Sequence, residues 1–284
     1  MSQVMDFVKS SNGLRLKLEE ISFRRGEKWI LRNIDWEIHQ GQHWAVLGAN
    51  GSGKTTLVRV ATGYEGSSWG RVFLIEGWIS EIVLPEVRKK VGFVSSALVD
   101  HLLRWWGHTY GEEVVASGKQ AVIGDYKRAS QEDLARSRET LESLGFGYLA
   151  QARFGLMSSG ERQICLFARS RMGDNDLLIF DEPCAGLDLC SREKVLSGLR
   201  EACLAPEAPP TILITHHSEE ILPEMTHVLL LREGQVVACG PKQQVLNDEL
   251  LSLTYGLPIH VYQTEGRYWA IPLGGKSAVI EPHE

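Results

Sequence analysis

Apolar and polar residues follow two kinds of pattern along this chain, and both predict β-strands. Residues 14–18 and 30–38 alternate apolar with polar side chains, with a turn at 25–27 between them. A period of two is typical of half-buried strands, so the pattern predicts an antiparallel hairpin. Shorter, mostly apolar runs predict more strands, at residues 44–47, 70–75, 91–94, 176–180 and 211–215, with a last pair near 228–231 and 235–239.

Helical segments are predicted between these strands. One follows residue 53 and closes near Gly63, and two more cover about 159–172 and 189–204. From residue 97 to about 156 the strand-like runs disappear, and Leu134, Leu141 and Leu144 recur at helical spacing. The pattern predicts an α/β fold with a mainly parallel sheet covered on both faces, an antiparallel β edge and an inserted helical subdomain.

A glycine-rich segment, GANGSGKTT, lies between a predicted strand and a predicted helix and fits G-x-x-x-x-G-K-[ST]. Its glycines let backbone N–H groups approach an anion, and the helix N-terminus adds a positive dipole end. Lys54 supplies a charge for the β- and γ-phosphates, and the Thr55 hydroxyl can ligate Mg²⁺. The segment therefore predicts a P-loop nucleoside triphosphate site at Gly48, Ala49, Asn50, Gly51, Ser52, Gly53, Lys54, Thr55 and Thr56.

Two acids follow the apolar strand at 176–180. Carboxyl ends of parallel strands gather ligands, so Asp181 suits the Mg²⁺ shell, directly or through water. Glu182, one residue further, is placed to orient or deprotonate the water that attacks the γ-phosphate. An isolated acid pair after a strand is usually surface charge, and the phosphate loop is what favours catalysis here.

A histidine pair follows the next apolar strand. A histidine at the carboxyl end of a strand can hydrogen-bond a γ-phosphate, although an isolated pair is more often a surface feature. His216 comes directly after Thr215, so we assign the γ-phosphate contact to His216 and no role to His217.

The segment MSSGERQ has two interpretations. Ser158 and Glu161 have the spacing of a capping box, which is purely structural. Ser158, Ser159 and Gly160 also form a small-residue helix N-terminus, and hence a second anion site. If the two phosphate-binding surfaces face different ways, a two-fold dimer would set each against the other subunit's nucleotide.

Composition narrows the function classes. The net charge of −6 argues against a broad nucleic-acid-binding face. The five cysteines have no metal-ligand spacing and indicate reduced thiols. Neither a signal peptide nor a membrane-spanning run is predicted, so we expect a cytoplasmic protein whose role at a membrane would come through a partner.

In chain order, the segments GANGSGKTT, MSSGERQ, LLIFDEP, CAGLD and THH resemble the motifs of ATP-binding-cassette (ABC) ATPases. The resemblance covers nearly the whole chain and implies an ABC ATPase domain at residues 14–256, with the helical part at about 97–157 and a short extension at 257–284. It implies ATP and Mg²⁺ as ligands, with the metal at Thr55 and Asp181. Lys54, Glu182 and His216 would be the catalytic residues.

The same resemblance implies partners. Ser158, Ser159, Gly160 and Glu161 would bind ATP on the opposite subunit of a homodimer, and Asp188 would belong to the loop through which two cassettes communicate. Transmembrane permease subunits would hold the dimer at the inner face of the cell membrane. The tail after residue 245 is similar to those of importer ATPases for iron chelates, cobalamin and molybdate.

Two positions depart from the family pattern. Ser96 stands where the family usually has Gln, and its shorter hydroxyl implies a metal contact that is water-mediated or absent. The aromatic residue that stacks on adenine would fall near Arg25, so Arg25 itself, Phe23 or Trp29 would stack on the base.

Two other roles compete with a transporter ATPase. One is a soluble ABC ATPase acting on a ribosome or nucleic acid, which the single cassette and the lack of a heptad run disfavour. The other is a nucleotide-gated module that turns over slowly, which Glu182 opposes and Ser96 allows. Trp105 and Trp106 either dock a membrane subunit or belong to the core.

Overall fold

The computed structural model describes residues 13–120 and 129–274. The described chain divides into two compact units: a first unit of residues 13–84 with 210–274, and a second of residues 85–120 with 129–209. The chain therefore leaves the first unit after residue 84 and returns to it at residue 210.

Strands and helices occur in the predicted α/β order. The strands are β1 (Leu14–Arg25), β2 (Lys28–His39), β3 (His43–Leu47), β4 (Trp69–Leu74), β5 (Gly77–Trp78), β6 (Val91–Ser95), β7 (Leu177–Asp181), β8 (Thr211–Thr215), β9 (His227–Arg232), β10 (Gln235–Pro241), β11 (Ile259–Thr264) and β12 (Arg267–Pro272). The helices are α1 (Lys54–Ala61), α2 (Leu84–Arg88), α3 (Ser96–Trp106), α4 (Gly111–Ala116), α5 (Gln131–Ser143), α6 (Ser159–Ser170), α7 (Leu189–Leu204), α8 (Lys242–Val245) and α9 (Asp248–Tyr255).

The first unit contains the predicted antiparallel hairpin. β1 pairs antiparallel with β2 and with β4, and β5 extends the sheet in the order β2-β1-β4-β5. Alternate residues of β1 and β2 are buried, as the period-two pattern predicted, and both strands run further toward the turn than the pattern indicated. Ile75, which the sequence placed in a strand, lies just beyond β4 with φ of 56°.

Parallel pairing in the first unit centres on β3. This strand is wholly buried and lies parallel to β8 on one side and to β9 on the other, while β10 pairs antiparallel with β9. In the β3–β8 register Leu47 is opposite Thr215. The residues that follow these two strands consequently emerge at the same edge of the sheet.

The second unit carries a parallel pair and most of the helices. β6 pairs with β7 so that Ser95 is opposite Asp181. The predicted helices at 159–172 and 189–204 are α6 and α7. Between residues 96 and 157 the described segments are helical, namely α3, α4, α5 and short 3₁₀ turns, while residues 121–128 lie outside the described part of the chain.

Several features differ from the sequence prediction or were missed by it. Ser96 is the first residue of α3, so this helix begins one residue before the predicted start of the helical part. Trp105 is 65% exposed, so its interpretation as a core residue is wrong. The hairpin of β11 and β12 was not predicted. The domain boundaries stay a prediction, and residues 275–284 of the proposed extension lie outside the described residues.

Two general expectations concern the membrane and the thiols. Within residues 13–120 and 129–274, no helix is both long and apolar enough to cross a bilayer. All five cysteines are free thiols, with Cys165, Cys184 and Cys203 buried and Cys190 and Cys239 exposed. The prediction of reduced thiols is consistent with this arrangement.

Candidate nucleotide-binding site

The phosphate loop is built by close backbone packing in the first unit. A Cβ added to Gly48 would lie 2.2 Å from the carbonyl oxygen of Leu231 in β9, so this position has no room for a side chain. Gly51 and Gly53 have φ of 81° and 105°, in the left-handed region that favours glycine. The loop is further held by the Gly234 N–H, which donates to the Ser52 carbonyl at 2.9 Å.

Lys54 is the first residue of α1 and is only 5% exposed. Its Nζ donates to the carbonyl oxygens of Gly48 at 2.8 Å and Ala49 at 3.0 Å. The ammonium group therefore lies inside the loop that it would use to bind phosphate. Thr55 follows on the exposed side of the first helical turn.

This donor set fits a nucleotide phosphate chain with its metal ion. The loop combines a helix N-terminus, closely packed glycines and one buried cation, which together favour an anion. Among the described residues, no group of three or more His, Cys, Asp or Glu side chains could hold a metal by itself. Mg²⁺ commonly binds through one or two protein ligands plus substrate phosphates, so the hydroxyl of Thr55 and a carboxylate are a suitable set.

His216 lies at the same edge of the first unit as the phosphate loop. It follows Thr215, the last residue of β8, and Thr215 is opposite Leu47, the residue before the loop. The rings of His216 and His217 have centroids 4.1 Å apart. The structure therefore brings the sensor candidate and the phosphate loop to neighbouring strand ends.

Hydrogen bonds within residues 215–220 stabilise the segment that carries His216. The Thr215 hydroxyl donates to Glu220 Oε2 at 2.5 Å and accepts the His217 backbone N–H at 3.0 Å. Glu220 and Ser218 are both buried. These contacts fix the backbone directly after β8, which is the part of the chain that orients His216.

In the second unit, Asp181 and Glu182 stand at the end of β7. Asp181 is the last residue of the strand and is buried, whereas Glu182 is half-buried. Glu182 has φ of 51°, a left-handed conformation that costs a non-glycine residue about 1–3 kcal/mol. Six other non-glycine residues of the described chain also have positive φ, so the angle does not by itself mark Glu182 as functional.

The MSSGERQ segment forms the capping box that its spacing predicted. The Ser158 hydroxyl accepts the Glu161 N–H at 3.3 Å, and Glu161 Oε2 accepts the Ser158 N–H at 2.8 Å. Tyr148 donates its hydroxyl to Glu161 Oε1 at 3.0 Å. The backbone and hydroxyl of Ser158, with Tyr148, hold the pKa of Glu161 below its usual value. The capping interpretation is confirmed, and the box uses the N–H groups of Ser158 and Glu161.

The N-terminus of α6 lies against the segment that ends at Asp188. A Cβ on Gly160 would be 3.0 Å from Leu187 Cδ2, and a Cβ on Gly186 would be 3.9 Å from Ser159 Oγ. Asp188 caps α7 by accepting the Ser191 N–H at 3.0 Å and its hydroxyl at 2.8 Å. These hydrogen bonds lower the pKa of Asp188 and keep it ionised.

The position of Ser96 follows from the register of β6 and β7. Ser95 is opposite Asp181 and caps α3, its hydroxyl accepting the Leu98 N–H at 3.3 Å. The backbone of Ser96 therefore begins a helix one residue beyond the register position of Asp181. The side chain of Ser96 lies outside the described part of the chain, so its metal contact stays a prediction.

The three adenine-stacking candidates differ in their surroundings. Arg25 pairs with Glu65 at 3.0 Å and lies 5.8 Å from the centroid of the Phe23 ring. Phe23 is buried, and Trp29 is 42% exposed. Because Phe23 is covered, Arg25 and Trp29 present more surface to a base than Phe23 does.

Comparisons with known proteins agree with this arrangement. Residues 31–185 match the family model described as ABC transporter. YlmA, an uncharacterized ABC transporter ATP-binding protein of Bacillus subtilis, is 36% identical over 253 residues, which cover 89% of this chain and 95% of YlmA. FepC, the ferric enterobactin transport ATP-binding protein of Escherichia coli, is 26% identical over 263 residues, covering 92% and 94%.

Two further similarities extend the picture. MolC, the molybdate import ATP-binding protein of Haemophilus influenzae, is 26% identical over 255 residues, covering 88% of this chain and 91% of MolC. The dimeric structure of MJ0796, a bacterial ABC transporter cassette, superimposes with a TM-score of 0.67 at 21% identity, covering 80% of this chain and 98% of that one. At this identity the structural likeness shows the fold alone.

The fold is that of an ABC ATPase cassette, and this chain belongs to the ATP-binding proteins of ABC transporters. Proteins of this family are ATPases, so the chain is an ATPase. Its family function is ATP-driven transport. The resemblance found in the sequence motifs is confirmed.

Proposed function

We propose that two copies of this chain close around two MgATP molecules and that their hydrolysis powers a membrane importer. The observation that carries the proposal is Lys54, a buried cation held by the carbonyls of Gly48 and Ala49 at the first turn of α1. A preformed phosphate loop of this kind supports tight binding of the β- and γ-phosphates before any chemistry takes place.

Each site residue has a role in this proposal. The backbone from Gly48 to Thr56 binds phosphate, and Lys54 neutralises charge as the γ-phosphate leaves. Thr55 and Asp181 would hold Mg²⁺, which supplies charge neutralisation on the phosphates. Glu182 orients the attacking water and accepts its proton, and His216 contacts the γ-phosphate.

The dimer gives the N-terminus of α6 a function beyond capping. Ser159 and Gly160 would present their backbone N–H groups to the γ-phosphate of the partner's ATP, with Ser158, whose own N–H donates to Glu161, as the cap beside them. Glu161, held in the capping box, keeps this turn rigid. Asp188 caps α7 beside the Gly186–Leu187 segment, which packs on α6. A shift of the MSSGERQ segment on ATP binding would therefore also move Asp188. The MJ0796 cassette, whose structure is dimeric, supports a dimer of this chain by analogy of fold.

The importer role rests on the relatives. FepC and MolC are named for transport of ferric enterobactin and import of molybdate, and each aligns over most of this chain. We propose that the dimer binds transmembrane permease subunits and is therefore cytoplasmic, at the inner face of the cell membrane. Trp105, 65% exposed on α3, is the residue we assign to permease docking.

The decisive test is Glu182→Gln beside the wild type, with steady-state ATPase assays and size exclusion in MgATP. We expect the wild type to hydrolyse ATP and the variant to lose about 100-fold or more of kcat, because removal of a general base costs about 10²–10⁴-fold. The variant still binds ATP and should elute as an ATP-dependent dimer.

The matched control is Glu207→Gln. Glu207 is exposed in the loop before β8 and has nearly the same backbone φ as Glu182, 55° against 51°. It should keep wild-type kcat. Wild-type turnover in Glu182→Gln would contradict the catalytic assignment, and an inactive monomeric variant would contradict the proposed dimer of the isolated chain.

A further inference from the structure

The last described part of the first unit forms a structure that contacts the segment carrying His216. We call α9, β11 and β12 (Asp248–Pro272) the C-terminal clamp, and residues 216–223 the sensor segment. Within the clamp, Asp248 joins the helix to the hairpin: its Oδ1 accepts the Val261 N–H at 2.8 Å, and its Oδ2 is 2.7 Å from His260 Nδ1. The helix and the hairpin are thereby tied together.

The clamp reaches the sensor segment at three points. Tyr255, at the end of α9, donates its hydroxyl to the backbone carbonyl of His216 at 3.3 Å. The backbone N–H of Ala270 in β12 donates to Ser218 Oγ at 2.8 Å. The turn of the hairpin packs on Pro223, because a Cβ at Gly266 would be 3.0 Å from Pro223 Cγ.

A buried lysine strengthens the far end of this contact. Lys242 is 4% exposed and donates from Nζ to the carbonyls of Leu222 at 3.0 Å and Pro223 at 2.8 Å. Its ammonium lies 5.8 Å from the centroid of the buried Tyr268 ring in β12. The sensor segment is therefore hydrogen-bonded at both ends, by Tyr255 at His216 and by Lys242 at Pro223.

We infer that the C-terminal clamp positions His216 for contact with the γ-phosphate, with Tyr255 and the Ala270–Ser218 hydrogen bond as its positioning elements. The inference rests on the proposed role of His216. The bond to the His216 carbonyl and the bond to the Ser218 hydroxyl restrain the chain on both sides of His217, and so restrain the backbone from which the His216 side chain projects. Burial also raises the pKa of Tyr255 to about 12, so its hydroxyl remains a donor at neutral pH.

Misplacement of a group that contacts the reacting phosphate lowers the rate more than it lowers binding of the rest of the nucleotide. We therefore expect Tyr255→Phe and Ser218→Ala each to lower kcat by about threefold to tenfold, the effect of one net hydrogen bond, with KM for ATP near the wild-type value. In the Glu182→Gln background, both should reduce the preference for ATP over ADP, because only ATP carries the γ-phosphate.

Tyr262→Phe is the matched control. Tyr262 lies in β11 of the same clamp and is 50% exposed. The substitution removes the same hydroxyl group, and no contact described in the structure joins Tyr262 to the sensor segment. It should match the wild type in kcat and in ATP-over-ADP preference. Thermal unfolding of each variant measures any general loss of stability, which would weaken ATP and ADP binding alike.

His216→Ala separates the two proposals. Positioning through His216 is supported by two results together. His216→Ala lowers the preference for ATP over ADP, and Tyr255→Phe lowers it in a chain that has His216 but has no added effect in His216→Ala. If His216→Ala is impaired while Tyr255→Phe and Ser218→Ala behave like Tyr262→Phe, the clamp inference is overturned and the sensor role stands. Wild-type behaviour of His216→Ala overturns the sensor role and the inference with it.

Discussion

Glu182 combines the proposed reactive role with a strained backbone. Its φ of 51° follows directly after the buried Asp181, so the turn out of β7 begins with a conformation that a glycine would adopt at lower cost. A glutamate in this left-handed conformation lowers the free energy of unfolding relative to a glycine at the same position. Retention of strain at a reactive residue is the usual trade of stability against activity.

This trade predicts the behaviour of Glu182→Gly. Relief of left-handed strain, about 1–2 kcal/mol, is offset by about 0.5–1 kcal/mol of added unfolded-state entropy. The expected result is a free energy of unfolding equal to the wild type or up to about 1.5 kcal/mol higher, with hydrolysis lost. Urea unfolding without nucleotide and an ATPase assay measure both quantities.

Glu207→Gly is the control for that prediction. It has φ of 55° and lies exposed in the loop before β8, so its stability should change in the same direction while its activity stays at the wild-type level. Marked destabilisation of Glu182→Gly alone would show that contacts of the Glu182 side chain outweigh its backbone strain.

At the scale of elements, α5 and α6 both begin with a capping box made by a serine and an acidic residue three positions later. In α6 it joins Ser158 and Glu161, and in α5 the Ser130 hydroxyl accepts the Asp133 N–H at 3.1 Å while Asp133 Oδ2 accepts the Ser130 N–H at 3.4 Å. The two helices are therefore capped alike, and only α6 belongs to the proposed ATP site. A comparison of matched variants in α5 and α6 can therefore distinguish the effect of capping on stability from the effect of nucleotide binding on activity.

Ser158→Ala and Ser130→Ala should each lower the free energy of unfolding by about 1 kcal/mol, since each removes an N-cap acceptor. Only Ser158→Ala should also lower ATPase activity. Ser158→Asp and Ser130→Asp each keep an N-cap acceptor but set a second carboxylate beside the acid that now accepts the serine hydroxyl, so both should lose a similar amount of stability. Only Ser158→Asp also sets a negative charge against the partner's γ-phosphate, so only that variant should lose activity. Equal activity of Ser158→Asp and the wild type would argue that the segment is a cap and nothing more.

The capping box also predicts a dependence of stability on pH. Glu161 has a pKa lowered from its ordinary value of 4.5 because Ser158 and Tyr148 donate to it. A lowered folded-state pKa contributes stability that is present above about pH 4.5 and is lost as pH falls through the lower, folded-state value. Glu161→Gln should therefore make the loss of stability as the pH falls below about 4.5 less steep than in the wild type.

Urea unfolding at a series of pH values measures this effect. Tyr148→Phe removes one of the donors to Glu161, so its curve should fall between those of the wild type and Glu161→Gln. A Glu161→Gln curve that is as steep as the wild type would mean that other carboxylates carry the acid sensitivity of the chain.

Strong local patterns account for what the sequence predicted correctly. The apolar runs before the phosphate loop, Asp181 and His216 are the strands β3, β7 and β8, because a buried parallel strand needs apolar residues on both faces. The β11–β12 hairpin was missed although Glu265 and Gly266, with φ of 49° and 76°, have the two positive angles of a tight turn. The signal in the sequence is the Glu265–Gly266 pair between two runs rich in β-branched and aromatic residues, and it could have been found.

Other features depend on contacts between distant parts of the chain and left no local signal. The bond from Tyr255 to the His216 carbonyl joins residues 39 positions apart. The steric limit at Gly48 comes from the Leu231 carbonyl of β9. A sequence pattern names the residue types suited to a site, whereas these contacts depend on which elements pack together.

At the scale of the whole molecule, the proposed cycle couples nucleotide binding to association. A ligand that binds only the folded chain stabilises it by about 2.7 kcal/mol at one hundred times its Kd, whatever the protein concentration. If ATP also joins two copies, the stabilisation must grow with protein concentration, because unfolding then separates the dimer. ADP, which lacks the γ-phosphate that the partner's α6 would contact, should not show this growth.

For Glu182→Gln in saturating MgATP, a tenfold increase in protein should raise the unfolding free energy per protomer by about 0.7 kcal/mol, half of the 1.4 kcal/mol that a factor of ten represents. With ADP the value should stay constant. Adding Ser158→Asp should abolish the concentration dependence while ATP still stabilises the chain, because the loop around Lys54 is intact. Stabilisation by ATP that is independent of concentration in Glu182→Gln would mean that the isolated chain binds nucleotide as a monomer, and that closure of the dimer requires the permease.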